Sequence, residues 1–276
     1  MEECLRKIWS KSDESVFESE FAERNLHVDK VLKMLDYPAY FKLTNQNLPF
    51  NKPAILEKLE QDQLIKEVDD QHFHITNLGA ILFAVNLDEF DSLSRKAMRV
   101  IFYRGKNRLE ALKEKVWHYG YAVGFKGLVE FIDDRLPMHE EIGIAFRKEV
   151  KMFPEQAIRE LVANAVIHQD FSIKGVGPMV EIFTGRIEIS NPGSPLIDFL
   201  RFKDCPPQFR NEKLTFLMKR MGICAGRGRG IHKVIDKMED FQAPAPQFIT
   251  AENFTRVILY APKPPSSYDQ IKLLKH

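Results

Sequence analysis

Residues 154–170 read PEQAIRELVANAVIHQD and place three polar side chains of different chemistry along one side of a helix. At about 100° per residue, Glu160 and Asn164 are offset by roughly 40°, and His168 by about 40° more. A carboxylate, a carboxamide and an imidazole therefore share a face. Ala157, Ile158, Leu161, Val162, Ala165 and Val166 make the rest of the helix apolar enough for burial against a sheet. Polar groups on a mostly buried helix are costly unless something pairs with them. A magnesium ion carrying phosphate would satisfy Glu160 and Asn164 together. The plainer readings are a solvated carboxylate and a structural amide. His168 falls near the helix end, where a cation is favoured. It reads first as a loop-organising residue, with phosphate contact as the alternative.

A second set lies further along. The run AGRGRGIHKV carries Gly226, Gly228 and Gly230 just before a helix expected to begin at about Ile231. Glycines let a ligand approach the backbone, and free amides at a helix start attract anions. Arg227 and Arg229 are the cations nearest such a site. Between the two sets, RIEIS ends in Asn191-Pro192-Gly193, where the chain must turn. From Arg201 to Lys233 nine cations (201, 203, 210, 213, 219, 220, 227, 229, 233) face only Asp204 and Glu212. Such an asymmetry suits a solvated face, triphosphate recognition or a nucleic-acid surface. Cys224 beside the glycine loop reads as packing rather than as a reactive thiol.

These residues need elements to hold them. PMVEIF (178–183) and RIEIS (186–190) read as two strands joined at Thr184-Gly185, and RNEKLTFLMKRMGI as a helix before the glycine loop. Upstream, residues 1–27 show no sustained pattern and read as an arm or linker. From Val28 the spacing of Val28, Val31, Leu32 and Leu35 predicts a helix disturbed by Pro38, and Asn51-Lys52-Pro53 opens another. LIKEV and HFHIT read as a short β-ribbon, followed by a helix capped by Thr76 or Asn77. Helix, helix and ribbon outline a winged helix. Its charge is wrong for DNA: residues 28–82 hold six lysines, no arginine and eight carboxylates. Packing between domains is the expected role. AMRVIFYR reads as a strand, KNRLEALKEKVWHYG and YAVGFKGLVEFIDDRL as largely helical with breaks at Gly120 and Gly124, and RKEVKMF as a strand. The tail from Pro262 reads as a linker.

The ordered set ELVANAVIH, RIEISNPG and GRGRGIHKV resembles the N box and the two glycine boxes of the GHKL (Bergerat) ATP-binding fold, shared by gyrase B, Hsp90, histidine kinases and MutL proteins. More narrowly, residues 28 to 261 resemble ATP-binding proteins described as transcriptional regulators or RecG-like helicases that carry a Schlafen AlbA-type domain. The motifs LDYPAYF, ITNLGAILF, YAVGFKGLVEFI, RELVANAVIHQDF and IEISNPG carry that likeness. No AlbA-type domain is visible, so the chain reads as the carboxy-terminal part of a longer architecture or a shortened relative. The resemblance implies Glu160 as catalytic base and Asn164 as magnesium ligand. It also implies Asn191 and Gly193 at the nucleotide base and Gly226, Arg227, Gly228, Arg229 and Gly230 around the phosphates. Three positions depart from the pattern: Ala163 and Ile167 replace carboxylates of the N box, and Asn191 replaces an aspartate. Binding is therefore expected more than hydrolysis.

The expected fold class is α+β. An arm (1–27), a winged-helix-like segment (28–96) and a mixed connecting segment (97–153) precede a GHKL-like α/β sandwich (154–261) and a tail (262–276). The expected function is a magnesium-dependent ATP-binding regulatory protein, at most a slow ATPase, serving as a switch in a DNA- or RNA-linked process. The alternative is an interaction or dimerisation module with a decayed pocket. ATP and Mg2+ are the implied cofactors. Partners are a nucleotide and, through the basic segment or an absent amino-terminal domain, nucleic acid, with a homodimer open. No GxxxxGK[ST] occurs, which excludes a P-loop helicase. The whole chain has 276 residues, 44% hydrophobic and 29% charged, with a net charge of +1, so any pull toward nucleic acid is local. Its three cysteines form no zinc spacing. No apolar run reaches a membrane span of about 18–20 residues, and the expected location is cytoplasmic.

Overall fold

The computed structural model describes residues 17–136, 138–142, 147–196, 208–224 and 230–262. An amino-terminal module starts with strand β1 (Phe21–His27), followed by helices α1 (Val28–Met34), α2 (Tyr37–Leu43) and α3 (Lys52–Gln61). Strands β2 (Ile65–Asp69) and β3 (His72–Thr76) then join β1 in an antiparallel sheet of order β1-β3-β2. Residues 21–27, expected as the end of an arm, are thus an edge strand whose pairing with β3 supplies the order that its own sequence pattern does not. Pro38 opens α2 instead of ending α1, because its missing N–H falls among amides that have no helical partner. Asn51 caps α3 by accepting from the Ala54 amide at 2.9 Å, and Thr76 caps α4 (Asn77–Phe83) through the Gly79 amide at 3.0 Å.

The larger part is a six-stranded sheet of order β10-β11-β9-β8-β4-β5. Strands β4 (Met98–Tyr103) and β5 (Ala111–Trp117) form one hairpin. Strands β8 (Met179–Phe183), β9 (Arg186–Pro192), β11 (Phe254–Tyr260) and β10 (Gln247–Ala251) are antiparallel neighbours, and β4 meets β8 in parallel. The run ALKEKVW is made of good helix formers and was expected to be helical; pairing with β4 overrides that preference. Two strands of the expected connecting segment therefore extend the same sheet as residues 179–260. Strands β6 (Met138–Ile142) and β7 (Arg147–Lys151) make a separate ribbon.

Helices α5 (Tyr121–Asp133), α6 (Glu155–Ile167) and α8 (Gly230–Asp240) cover one face of the sheet, with α6 between the other two, and α7 (Glu212–Arg220) precedes the glycine loop. Gly124 lies inside α5 without breaking it, because the Trp117 indole fills the space a β-carbon would need, 2.4 Å from Nε1. Val100, Val180, Ile182, Ile187, Ile189, Val257 and Leu259 of the sheet join Ile158, Leu161, Val162 and Ala165 of α6 in one core. On the other face, Glu181 and Glu188 stand directly opposite each other across β8 and β9. Arg108, from the β4–β5 turn, bridges both, and Arg186 and Arg256 add to Glu188. Like charges in that register repel unless such cations neutralise them. Among the described residues, no helix is long and apolar enough to cross a membrane.

Candidate functional site

Helix α6 is set down by Pro154 and closes at His168, whose amide bonds the Asn164 carbonyl at 3.0 Å. Its apolar positions fix the rotation, and that rotation decides where Glu160 and Asn164 go. Glu160 is only 7% exposed and makes no hydrogen bond to another described residue. Its carboxylate lies against the first residue of α8: a β-carbon on Gly230 would stand 2.1 Å from Glu160 Oε1. Burial raises the Glu160 carboxyl above the usual carboxylate range, while Lys233 and Arg159 pull it back. Asn164 is half-buried, and its side-chain amide also lacks a described hydrogen-bond partner. The structure thus brings together two of the groups singled out from sequence, Glu160 and Gly230. Gly226, Arg227, Gly228 and Arg229, with Arg201 and Lys203, lie outside the described residues.

At the far end of α6 a second cluster forms around the β9 turn. Asn191 is 8% exposed and shares the inward face of β9 with Ile187 and Ile189. Its Nδ2 donates to the Pro192 carbonyl at 3.0 Å and to the His168 carbonyl at 3.5 Å. Both partners are acceptors, so the amide nitrogen must face them. Gly193 follows with φ +95°, and a β-carbon there would lie 2.4 Å from Arg210 Nη1 and 2.6 Å from Asp170 Cβ. Arg210 reaches the carbonyls of His168 and Ser194 at 3.4 and 3.3 Å. The His168 ring stacks on Phe209, with centroids 5.8 Å apart. Burial lowers the imidazole to about 4, and Arg210 and Lys219 push the same way. His168 is therefore a neutral, packed residue, which agrees with the loop-organising reading.

Arg159 and Asn211 contribute without a sequence signal of their own. Arg159 spans from α6 to the Gly222 carbonyl at 2.6 Å, fixing the approach to the glycine loop. Asn211 donates to the carbonyls of Ile167 and Gln169 at 3.0 and 2.8 Å, tying the start of α7 to the end of α6. Cys224 is buried and its thiol is lifted to about 11 by that burial, with Glu160 adding to the effect. It is an inert packing group beside the site. Among the described residues no group of three or more His, Cys, Asp or Glu is placed to hold a metal by itself. In the amino-terminal module, Lys52 pairs with Asp29 and Lys30 lies 3.8 Å from Glu89, so two of its few cations are already matched.

Residues 175–259 match the protein family described as "Putative ATP-dependent DNA helicase recG C-terminal". The stretch is ATPase-like. It holds Asn191, Gly193 and Gly226 to Gly230, and leaves Glu160 and Asn164 just ahead of it. No curated protein matches the chain. Among solved structures, the DIP2311 protein of Corynebacterium diphtheriae superposes with a TM-score of 0.66 at 16% identity, over 89% of this chain and 48% of that one. This chain spans about half of that protein's length, and likeness at such identity shows a shared fold. The mixed architecture is compatible with an ATPase-like α/β sandwich.

Proposed function

We propose that the chain binds magnesium–ATP where α6 runs between the turn after β9 and the start of α8. In this reading it is a nucleotide switch of GHKL type in a regulatory protein linked to DNA or RNA. One observation carries it: Glu160 is buried, has no hydrogen-bond partner among the described residues and is held against a glycine at a helix start. A carboxylate in that setting can orient a water for attack on a phosphate bound to the glycine-loop amides. Asn164, one turn later, would present its carbonyl oxygen to the metal. Magnesium usually keeps several waters and takes few protein ligands besides substrate phosphates, so the lack of a carboxylate cage fits it. The Nδ2 of Asn191 is engaged by two backbone carbonyls, which leaves its Oδ1 as the end able to accept from an adenine amino group. No helicase activity is proposed, since the chain has no P-loop.

The amino-terminal order of one strand, three helices and a two-stranded ribbon supports a winged-helix-like reading of residues 28–96. Its third helix carries paired or acidic side chains, which favours packing over contact with a phosphate backbone. A thermal-shift panel with ATP, ADP and GTP, each with magnesium or a chelator, tests the nucleotide reading. A ligand at about a hundred times its Kd stabilises by about 2.7 kcal/mol. Asn164→Ala is expected to weaken ATP in magnesium far more than in chelator; equal losses would remove the metal role. A wild type unmoved by every nucleotide would leave the interaction-module reading.

A further inference from the structure

The segment that leads from α6 to β8 lies directly against the end of β9. The Asp170 amide bonds the Pro192 carbonyl at 2.9 Å, and a β-carbon on Gly193 would stand 2.6 Å from Asp170 Cβ. The Asp170 carboxylate folds back onto Ser172, accepting from its amide at 2.9 Å and its hydroxyl at 2.5 Å, which closes residues 170–172 into a tight turn. Wherever this turn sits, the β9 end that carries Asn191 and Gly193 must sit beside it.

The turn is held from behind by one buried lysine. Lys96 ends a short 3-10 turn (Ser94–Lys96) ahead of β4 and is 3% exposed. Its Nζ donates to the Ile173 carbonyl at 2.6 Å and stands 5.7 Å from the centre of the Phe171 ring. Burial lowers the ammonium to about 8, with Asp170 opposing the shift, so it is charged at neutral pH. The Lys96 carbonyl accepts from the Tyr121 hydroxyl at 2.5 Å, and that hydroxyl accepts from Gln169 Nε2 at 3.0 Å. Both ends of residues 169–173 are therefore tied to Lys96, Ile173 by its ammonium and Gln169 through Tyr121. The lysine backbone is itself closely packed, since a β-carbon on Gly177 would lie 2.7 Å from its carbonyl oxygen. From the opposite side Phe17 stacks on Phe171 with centroids 4.3 Å apart, and the next residue, Glu18, accepts from the Leu214 amide of α7 at 2.7 Å. Burying an ammonium to reach a backbone carbonyl is a costly way to fill space. It fixes a direction, which an apolar side chain would not.

We infer that Lys96 is a positioning residue for the base-binding end of the nucleotide site, acting through the 169–173 turn on Asn191 and Gly193. The inference rests on the nucleotide reading above and adds to it a residue far outside the family-matched stretch 175–259. Without the ammonium, the Ile173 carbonyl loses its donor and the turn can shift along the end of β9. The Asp170 contact that crowds Gly193 shifts with it, and Asn191 presents its oxygen to the base less well. Binding of the phosphates does not pass through this turn.

The test compares magnesium–ATP with magnesium–tripolyphosphate, which has neither base nor sugar, by titration calorimetry on the full chain well below each variant's Tm. Lys96→Met keeps the stem and removes the charge; it is expected to raise the ATP Kd about 3- to 30-fold while the tripolyphosphate Kd moves by less than about twofold, in the range seen for residues that act through intermediaries. Tyr121→Phe removes one hydroxyl from the same network and is expected to give the same split at smaller size. Should Lys96→Met fail to fold, that variant decides. Variants that lower Tm yet bind ATP as the wild type does would overturn the inference, since the network would then serve stability alone. Equal losses for both ligands would also overturn it, because the effect would not be confined to the base end, and so would a wild type that binds the two ligands equally well. A wild type that binds neither would sink the nucleotide reading itself, a result distinct from ATP binding that the variants leave untouched.

Discussion

His168 offers a quantitative test of how α6 is anchored. Its imidazole is held neutral down to about 4 by burial, with Arg210 and Lys219 opposing a further positive charge. In the unfolded chain an imidazole titrates near 6.5. A base whose folded value is depressed contributes stability that is complete above the unfolded value and is lost as pH falls through it. The window is therefore about 6.5 down to 4. At pH 4.5 the unfolded chain is two pH units below its imidazole value while the folded ring is still mostly neutral. At about 1.4 kcal/mol per unit, His168 alone then costs about 2.5 kcal/mol of stability relative to pH 7.5. His168→Phe keeps a flat ring against Phe209 and removes the titration. Urea unfolding of both proteins between pH 7.5 and 4.5 reads the difference, with other acid-sensitive groups common to both. The variant's curve is expected to fall less steeply by that amount. Parallel curves would mean that the ring is already protonated or free to leave, and the packed reading of the α6 terminus would fail.

Glu160→Gln is expected to separate stability from chemistry. Because burial raises the folded carboxyl, the stability tied to this group is lost as pH rises through its folded value, so the amide variant is expected to be more stable than wild type at pH 7 and little different near pH 4. Any ATP turnover is expected to fall by about 10²–10⁴-fold in the same protein; a destabilised variant would contradict the burial argument. Gly193→Ala forces a side chain into a positive-φ position already filled by Arg210 and Asp170, and is expected to cost about 2–4 kcal/mol in denaturant unfolding. A cost below about 1 kcal/mol would show that the β9 turn relaxes without loss.

Much of the site's geometry could be anticipated from residue spacing. The period of Ala157, Ile158, Leu161, Val162 and Ala165 was enough to put Glu160 and Asn164 on a shared face, since an amphipathic helix has little choice of rotation. The start of α8 was read within one residue, because glycines end where regular structure begins. What spacing could not show were contacts between distant parts of the chain. Glu18 lies in a stretch with no pattern, and only the fold brings it to α7. Residues 111–117 have helical composition and become a strand because β4 offers a partner edge. The strands β10 and β11 passed unread for a related reason: their alternation is weak, and their order comes from pairing with β9. The two buried carboxylates Glu181 and Glu188 look solvent-facing in an alternating strand, and what explains their burial is Arg108, from a turn some seventy residues away, with Arg186 and Arg256 on Glu188.

The parallel contact between β4 and β8 has a consequence for how the protein assembles. Strands β8 and β9 join through a two-residue turn, as do β10 and β11, and β9 meets β11 across about 60 residues, whereas β4 reaches β8 only after roughly 75 intervening residues have been laid down. Closing so long a segment is entropically late in folding. That segment contains α6. The helix bearing Glu160 is thus part of the crossover that completes the sheet, and its arrival and the sheet's completion are one event. A chain cut down to residues 175–259 would keep β8 to β11 but could not recruit the carboxylate, because the piece that carries it is the same piece that ties β4 to β8.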